Sequence, residues 1–238
     1  MTLPRYPAPA PGTRPPLDAP DYRSTALRHP GRPLVLLPQR LTEVTGPLFG
    51  HDRVRPGEDD LTRWDGGEAV GQRIVVHGRV LDSGGRPVPD TLIEIWQANA
   101  GGRYRHVADQ WPAALDPHFN GLGRVATDAE GRYRFTTIKP GAYPWGNHRN
   151  AWRPAHIHLS LFGRAFTQRL VTQLYFPDDP LFGQDPIFNS VPDPAARQRM
   201  VCAYDHDATV EQWGLGFRFD VVLRGPAQTP FESEPDDD

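Results

Sequence analysis

Between residues 70 and 225, apolar and polar positions alternate in short runs punctuated by glycine and proline, the period of strands rather than helices. Residues 73–81 (RIVVHGRVL) predict a strand, and Asp82-Ser83-Gly84-Gly85 predicts the turn that follows. Residues 91–96 predict the next strand. Asp128-Ala129-Glu130-Gly131 predicts a turn into a strand over 132–138. Further strands are expected at 155–162, 169–176 and 216–224. Pro192-Asp193-Pro194 ahead of residues 195–203 predicts a short helix near the C-terminus, with Asp193 as its cap and proline at its first position. Many short strands joined by Gly/Pro turns predict an all-β fold, a β-sandwich.

The two ends read differently. Ten of the 27 prolines fall in the first 40 residues, where each fixes φ and removes a backbone donor. That composition predicts an extended Pro-rich N-terminal arm that packs on a neighbour from about Tyr22 onward. Leu34-Val35-Leu36-Leu37 is too apolar to leave in water. The end, Glu232-Ser233-Glu234-Pro235-Asp236-Asp237-Asp238, reads as a solvated acidic tail. The expected organisation is therefore an arm with loops over 1–69, a sandwich over 70–225 and a tail over 226–238.

Composition narrows the function. A formal net charge of −3 argues against nucleic acid or an anionic membrane as partner. Lys139 is the only lysine, and no arginine cluster resembles a phosphate patch. Cys202 is the only cysteine, so no intrachain disulfide can form, which suits a cytoplasmic protein. No apolar run is long enough for a membrane helix, and no apolar signal core precedes the proline-rich start.

The candidate chemistry lies in Trp152-Arg153-Pro154-Ala155-His156-Ile157-His158. The alternation from His156 predicts a half-buried strand, and residues at i and i+2 leave the same face of a strand. His156 and His158 then sit roughly 6.6 Å apart along it, close enough for both rings to converge on one metal. Tyr104 and Tyr143 lie in Gly- and Pro-rich loops, where binding groups are displayed. Phenolate is a hard anionic donor that suits a highly charged ion such as Fe(III), and a bound cation can deprotonate a phenol. Read alone, the histidines equally fit a hydrogen-bonded pair, and each tyrosine fits a packing role.

Longer motifs decide between these. The runs 94–106 (EIWQANAGGRYRH), 138–145 (IKPGAYPW) and 152–158, with Thr172-Gln173-Leu174-Tyr175-Phe176 and 217–225 (FRFDVVLRG), resemble the intradiol ring-cleaving dioxygenases. Pro20-Asp21-Tyr22 and Thr45-Gly46-Pro47 extend the likeness upstream. The branch most similar is the iron-bearing β subunit that cleaves protocatechuate (3,4-dihydroxybenzoate).

The resemblance implies a prealbumin-like sandwich and a mononuclear non-haem Fe(III) held by Tyr104, Tyr143, His156 and His158. It implies ring cleavage by O2 to 3-carboxy-cis,cis-muconate in the β-ketoadipate pathway of aromatic catabolism. Tyr143 would be the ligand that gives way to substrate, and Tyr104 the one that stays. Arg153 would stabilise charge developing on the ring, and Gln173 would polarise the site by hydrogen bonding. Trp145 and Ile187 would wall the ring, and Tyr22 would meet the substrate carboxylate. The implied partner is a homologous α subunit in a hetero-oligomer. Two competing readings are a catechol or hydroxyquinol 1,2-dioxygenase and a non-enzymatic prealbumin-like binding module. The proline-rich arm argues against the first, which would start with a helical segment. The paired Tyr and His motifs argue against the second.

Overall fold

The structure, a computed structural model, describes residues 9–32, 54–162 and 169–230. The apolar run 34–37 and the acidic end fall outside them. A one-turn helix α1 (Thr25–Arg28) comes first, then a small hairpin of β1 (Arg63–Trp64) and β2 (Gly67–Glu68). The main strands follow: β3 (Arg73–Leu81), β4 (Leu92–Trp96), β5 (Leu122–Ala126) and β6 (Arg132–Ile138). A short hairpin pairs β7 (Tyr143–Trp145) with β8 (Ala151–Arg153). Next come β9 (His156–Phe162) and β10 (Arg169–Tyr175), and a 3-10 turn (Phe182–Gln184). Helices α2 (Pro186–Asn189) and α3 (Pro194–Gln198) lead into β11 (Ala203–Val210), β12 (Gly214–Arg218) and β13 (Val221–Val222).

Two open sheets share one core. The first has the order β10-β9-β4-β5, antiparallel throughout. In the second, β3 is central, with β6 antiparallel on one side and β12 then β13 parallel on the other. Ile74, Val76 and Phe135 of the second sheet pack with Ile93, Ile157, Leu159 and Leu174 of the first in one buried cluster. Each fully buried aliphatic or aromatic side chain contributes roughly 1.5–3 kcal/mol, which holds the sheets face to face. The fold is the all-β sandwich that the patterning predicts.

The expected spans 73–81 and 132–138 coincide with β3 and β6. Four expectations are corrected. First, the strand expected at 216–224 is two strands. Around Phe219-Asp220 the chain is held off the regular ladder: Phe219 N donates to the His77 carbonyl (2.8 Å), and the Asp220 carboxylate accepts from Arg79 N (2.9 Å). Second, the helix expected over 195–203 ends at Gln198. Asp193 does cap it, accepting from Ala195 N at 3.0 Å, but Met200 and Cys202 bond to both sides of Tyr175 and pull the chain into the sheet. Third, β9 is buried on both faces rather than one, because the rings of Trp96, Tyr143 and Tyr175 pack against its histidine face. Fourth, Tyr143 stands on β7 rather than in an open loop.

Gly78 marks where β3 and the β12–β13 junction cross. A Cβ there would lie 1.8 Å from the Phe219 carbonyl oxygen, which Tyr133 Oη already bonds at 2.5 Å. Gly78→Ala should therefore destabilise the protein by at least about 1–3 kcal/mol, the usual cost of overpacking. Urea denaturation measures it, and an unchanged midpoint would contradict so close a crossing. Cys202 is buried beside this core, and burial pushes its thiol up to about 12, so it is a packing residue rather than a nucleophile. Among the described residues no helix is long and apolar enough to cross a membrane.

Candidate metal centre

β9 puts His156 and His158 on one face, with ring centroids 4.9 Å apart and planes at 72°. Register builds the surroundings of each. His158 lies opposite Trp96 of β4 and Gln173 of β10, and its ring stacks on the Trp96 indole (4.7 Å, 7°). His156 lies opposite Tyr175. Its Nδ1 is 2.7 Å from the Pro154 carbonyl, which accepts the Nδ1 proton and leaves Nε2 as the lone-pair nitrogen facing the site. Burial first, with the charges of Arg153 and His158 second, holds His156 well below the usual histidine range. The ring is therefore neutral, the form that ligates metal.

The two tyrosines arrive from loops that press together. Asn99 organises the first: its Oδ1 accepts from Gly101 N (2.9 Å) and Arg103 N (3.0 Å), and its carbonyl accepts from Gly141 N in the second loop (2.9 Å). Gly102 has φ +78°, and a Cβ there would lie 2.3 Å from the Ala142 carbonyl. Only glycine fits that crossing, so the Gly-rich character of this motif is a packing requirement. Asp109 Oδ2 then accepts from Tyr104 N at 2.7 Å and fixes where the tyrosine leaves the loop.

The outcome is a closed circuit of rings. Tyr104 meets Tyr143 edge-on at 5.6 Å, Tyr143 meets His156 at 5.6 Å, His156 meets His158 at 4.9 Å, and His158 meets Tyr104 at 6.4 Å. Tyr143 Oη is 3.3 Å from His156 Nε2. Among the described residues no group of three or more His, Cys, Asp or Glu gathers, so a metal at this circuit would depend on the phenol oxygens. Two neutral nitrogens and two ionisable phenols are a donor set suited to a hard trivalent ion. The residues fit ferric iron.

Arg153 and Gln173 lie beside the circuit, both buried. Arg153 Nε donates to Asp185 Oδ2 at 3.0 Å, and its Nη2 donates to Gln173 Oε1 and to Tyr175 Oη (3.2 Å). The Gln173 carbonyl is thus committed, and its amide Nε2 is buried with no hydrogen-bond partner among the described residues. A donor left in that state marks a place for a polar guest. Trp145 links the circuit to the third group of candidates. It lies 5.7 Å from the Arg153 guanidinium and 4.9 Å from the Tyr22 ring, and Tyr22 and Ile187 pack in one small buried cluster with it. An open cleft of about 1070 Å³ spreads over Tyr104 and Tyr143, walled by Trp145, Trp111, Trp152 and Arg105.

Three neighbours escaped the sequence reading. Asp185 repeats the Asp-Pro signature seen at Asp193, capping α2 through Ile187 N (2.9 Å), so its local signal was present. Tyr175 is two residues from Gln173 and so shares its strand face. Nothing local marked Trp96 as the partner of His158.

A β-sandwich with two histidines on an inner strand, and two tyrosines brought to them from β7 and a neighbouring loop, defines a class. The chain belongs to the intradiol dioxygenase family: residues 44–225 match its model, described as Dioxygenase. Residues 6–40 match a second model, described as Protocatechuate 3,4-dioxygenase beta subunit N terminal. The chain is 58% identical over 215 residues to the protocatechuate 3,4-dioxygenase beta chain of Burkholderia cepacia, covering 90% of this chain and 91% of that one. It is 29% identical to the alpha chain of the Pseudomonas putida enzyme, over 84% of this chain and 98% of that one. The solved hydroxyquinol 1,2-dioxygenase from Pseudomonas putida DLL-E4 superposes with a TM-score of 0.52 at 26% identity, covering 73% of this chain and 59% of that one.

Proposed function

We propose that this chain is the iron-bearing subunit of a protocatechuate 3,4-dioxygenase, with Tyr104, Tyr143, His156 and His158 as ligands of one non-haem Fe(III). The closed circuit of these four rings is the observation that carries the reading. The overall reaction opens the bond between the two hydroxylated carbons and adds both atoms of O2 to the product, so no external reductant is needed. When bound, ferric iron supplies a Lewis-acidic, redox-capable centre to which the diol oxygens attach. Two phenolates and a hydroxide would balance three positive charges, which favours binding beside the buried histidines.

Each residue has a task. Tyr143 Oη would take up one of the diol's two hydroxyl protons, the hydroxide would take the other and leave as water, and Tyr104 would remain a ligand. Arg153 sets a permanent positive charge beside the ring where negative charge develops. Gln173 offers its amide N–H to an oxygen in the site. Trp145 and Ile187 flank the ring, and Tyr22 lies toward its carboxylate.

Among the described residues the cleft is far larger than one aromatic ring needs and stands open. A homologous α subunit would supply a further wall, making the active unit a hetero-oligomer. We place this assembly in the cytoplasm, where the single free thiol would stay reduced. The domain plan of arm, sandwich and tail belongs to the same reading.

Oxygen uptake is the test. The chain co-expressed with its α partner should consume one O2 per protocatechuate and yield the carboxymuconate. The chain made alone should be poorly soluble or weakly active. Faster uptake with catechol or hydroxyquinol would reassign the substrate. A colourless protein inert to all three diols would return it to the binding modules, and a fully active lone monomer would refute the partner.

A further inference from the structure

Behind Arg153 and Gln173 lies a buried network with no assigned role. Asp185 is fully buried, as is the Arg153 side chain it pairs with (0% and 3% exposed). Its two oxygens have different duties. Oδ1 accepts from Ile187 N and caps α2 (2.9 Å), while Oδ2 accepts from Arg153 Nε (3.0 Å) and lies 3.0 Å from Tyr175 Oη. Tyr175 Oη lies 2.6 Å from Gln173 Oε1 as well, and accepts from Arg153 Nη2 at 3.2 Å.

Valence makes this arrangement directional. A guanidinium only donates, so the face of Gln173 turned toward Arg153 must be its carbonyl. The Tyr175 hydroxyl, which can give its one proton to that same oxygen at 2.6 Å, suits the same choice. The amide nitrogen is then turned the other way, as a buried donor lacking a partner among the described residues. Arg153 is restrained in turn by Asp185, because Nε is bonded and Nη2 points at Gln173.

We propose that Asp185 and Tyr175 are positioning residues: together they aim the Arg153 charge and present Gln173 to the site as a donor rather than an acceptor. The proposal rests on the reading of Arg153 and Gln173 as groups that face the reacting ring. Asparagine cannot replace Asp185, since it has one acceptor oxygen where two are used. Either the α2 cap or the Arg153 side would then meet an N–H instead of an oxygen.

Asp185→Asn and Tyr175→Phe, made in the iron-loaded assembly, test it. Each should lower kcat by about 10–100-fold, the usual loss when an outer partner of a metal site is removed. KM for protocatechuate should stay within about twofold, and iron content and the visible absorption band should be unchanged. In an Arg153→Ala background, Asp185→Asn should cost little further activity, because the group it aims is gone. Wild-type turnover in Asp185→Asn, or fully additive losses in the double variant, would overturn the proposal. If Asp185→Asn fails to fold, Tyr175→Phe decides alone, since it keeps the cap, the ion pair and the ring packed at 5.0 Å on Phe188. Full turnover in Tyr175→Phe would also overturn it. Full turnover in Arg153→Ala would instead sink the reading of Arg153 beneath it.

Discussion

His158→Ala protein should purify with little iron and without the red-brown colour of phenolate-to-iron charge transfer. His158 is one of only four protein donors in the proposed set, and it has a register partner on each neighbouring strand. Trp96 stacks on it at 4.7 Å, and Gln173 faces it across the neighbouring strand. Removing a ligand takes away a bond and the geometry that bond enforces. The loss of iron affinity should exceed the roughly 10–100-fold that deletion of an outer partner costs. The fold itself should survive. The core packs on Ile157 and Leu159, which leave β9 on the opposite face. Iron analysis, visible absorption and circular dichroism together check this. An iron-replete but colourless wild-type protein would refute the tyrosine ligands, and an iron-replete His158→Ala variant would refute His158.

Arg153→Ala should keep iron and colour yet lose turnover by about 10²–10³, the typical effect of deleting a preorganised electrostatic group. Arg153 donates to Asp185, Gln173 and Tyr175, none of which is a proposed ligand. Its loss therefore should not unseat a ligand. It does leave Asp185 as a buried unpaired carboxylate, which costs about 3–5 kcal/mol of stability. Rates must accordingly be referred to folded, iron-loaded protein. The variant with Asp185→Asn added relieves that charge and separates the two effects. Unchanged kcat in folded Arg153→Ala protein would reduce Arg153 to a structural ion pair.

Much of this site is written locally. The face shared by His156 and His158 follows from the pleat alone, since successive side chains alternate and i, i+2 must agree. The spans of β3 and β6 follow from alternation bounded by Gly and Asp turns, and the start of α3 from an Asp-Pro pair whose donor and acceptor lie within three residues. Long family motifs added the tyrosines, which no period could single out.

Only the tertiary structure brought the pieces together. Asp185 reaches Arg153 across 32 residues, and Trp96 reaches His158 because β4 pairs with β9. Tyr104 reaches Tyr143 because two loop backbones touch at Gly102 and Ala142. The break in the last strand and the early end of α3 are of the same kind. Phe219-Asp220 and Met200 to Cys202 answer to hydrogen-bond partners in other strands. Periodicity reports which way a side chain leaves its own strand, a property of adjacent residues. Which group it meets depends on how the sheets register and how the loops close over them, and that is settled by contacts between distant residues competing for the same space.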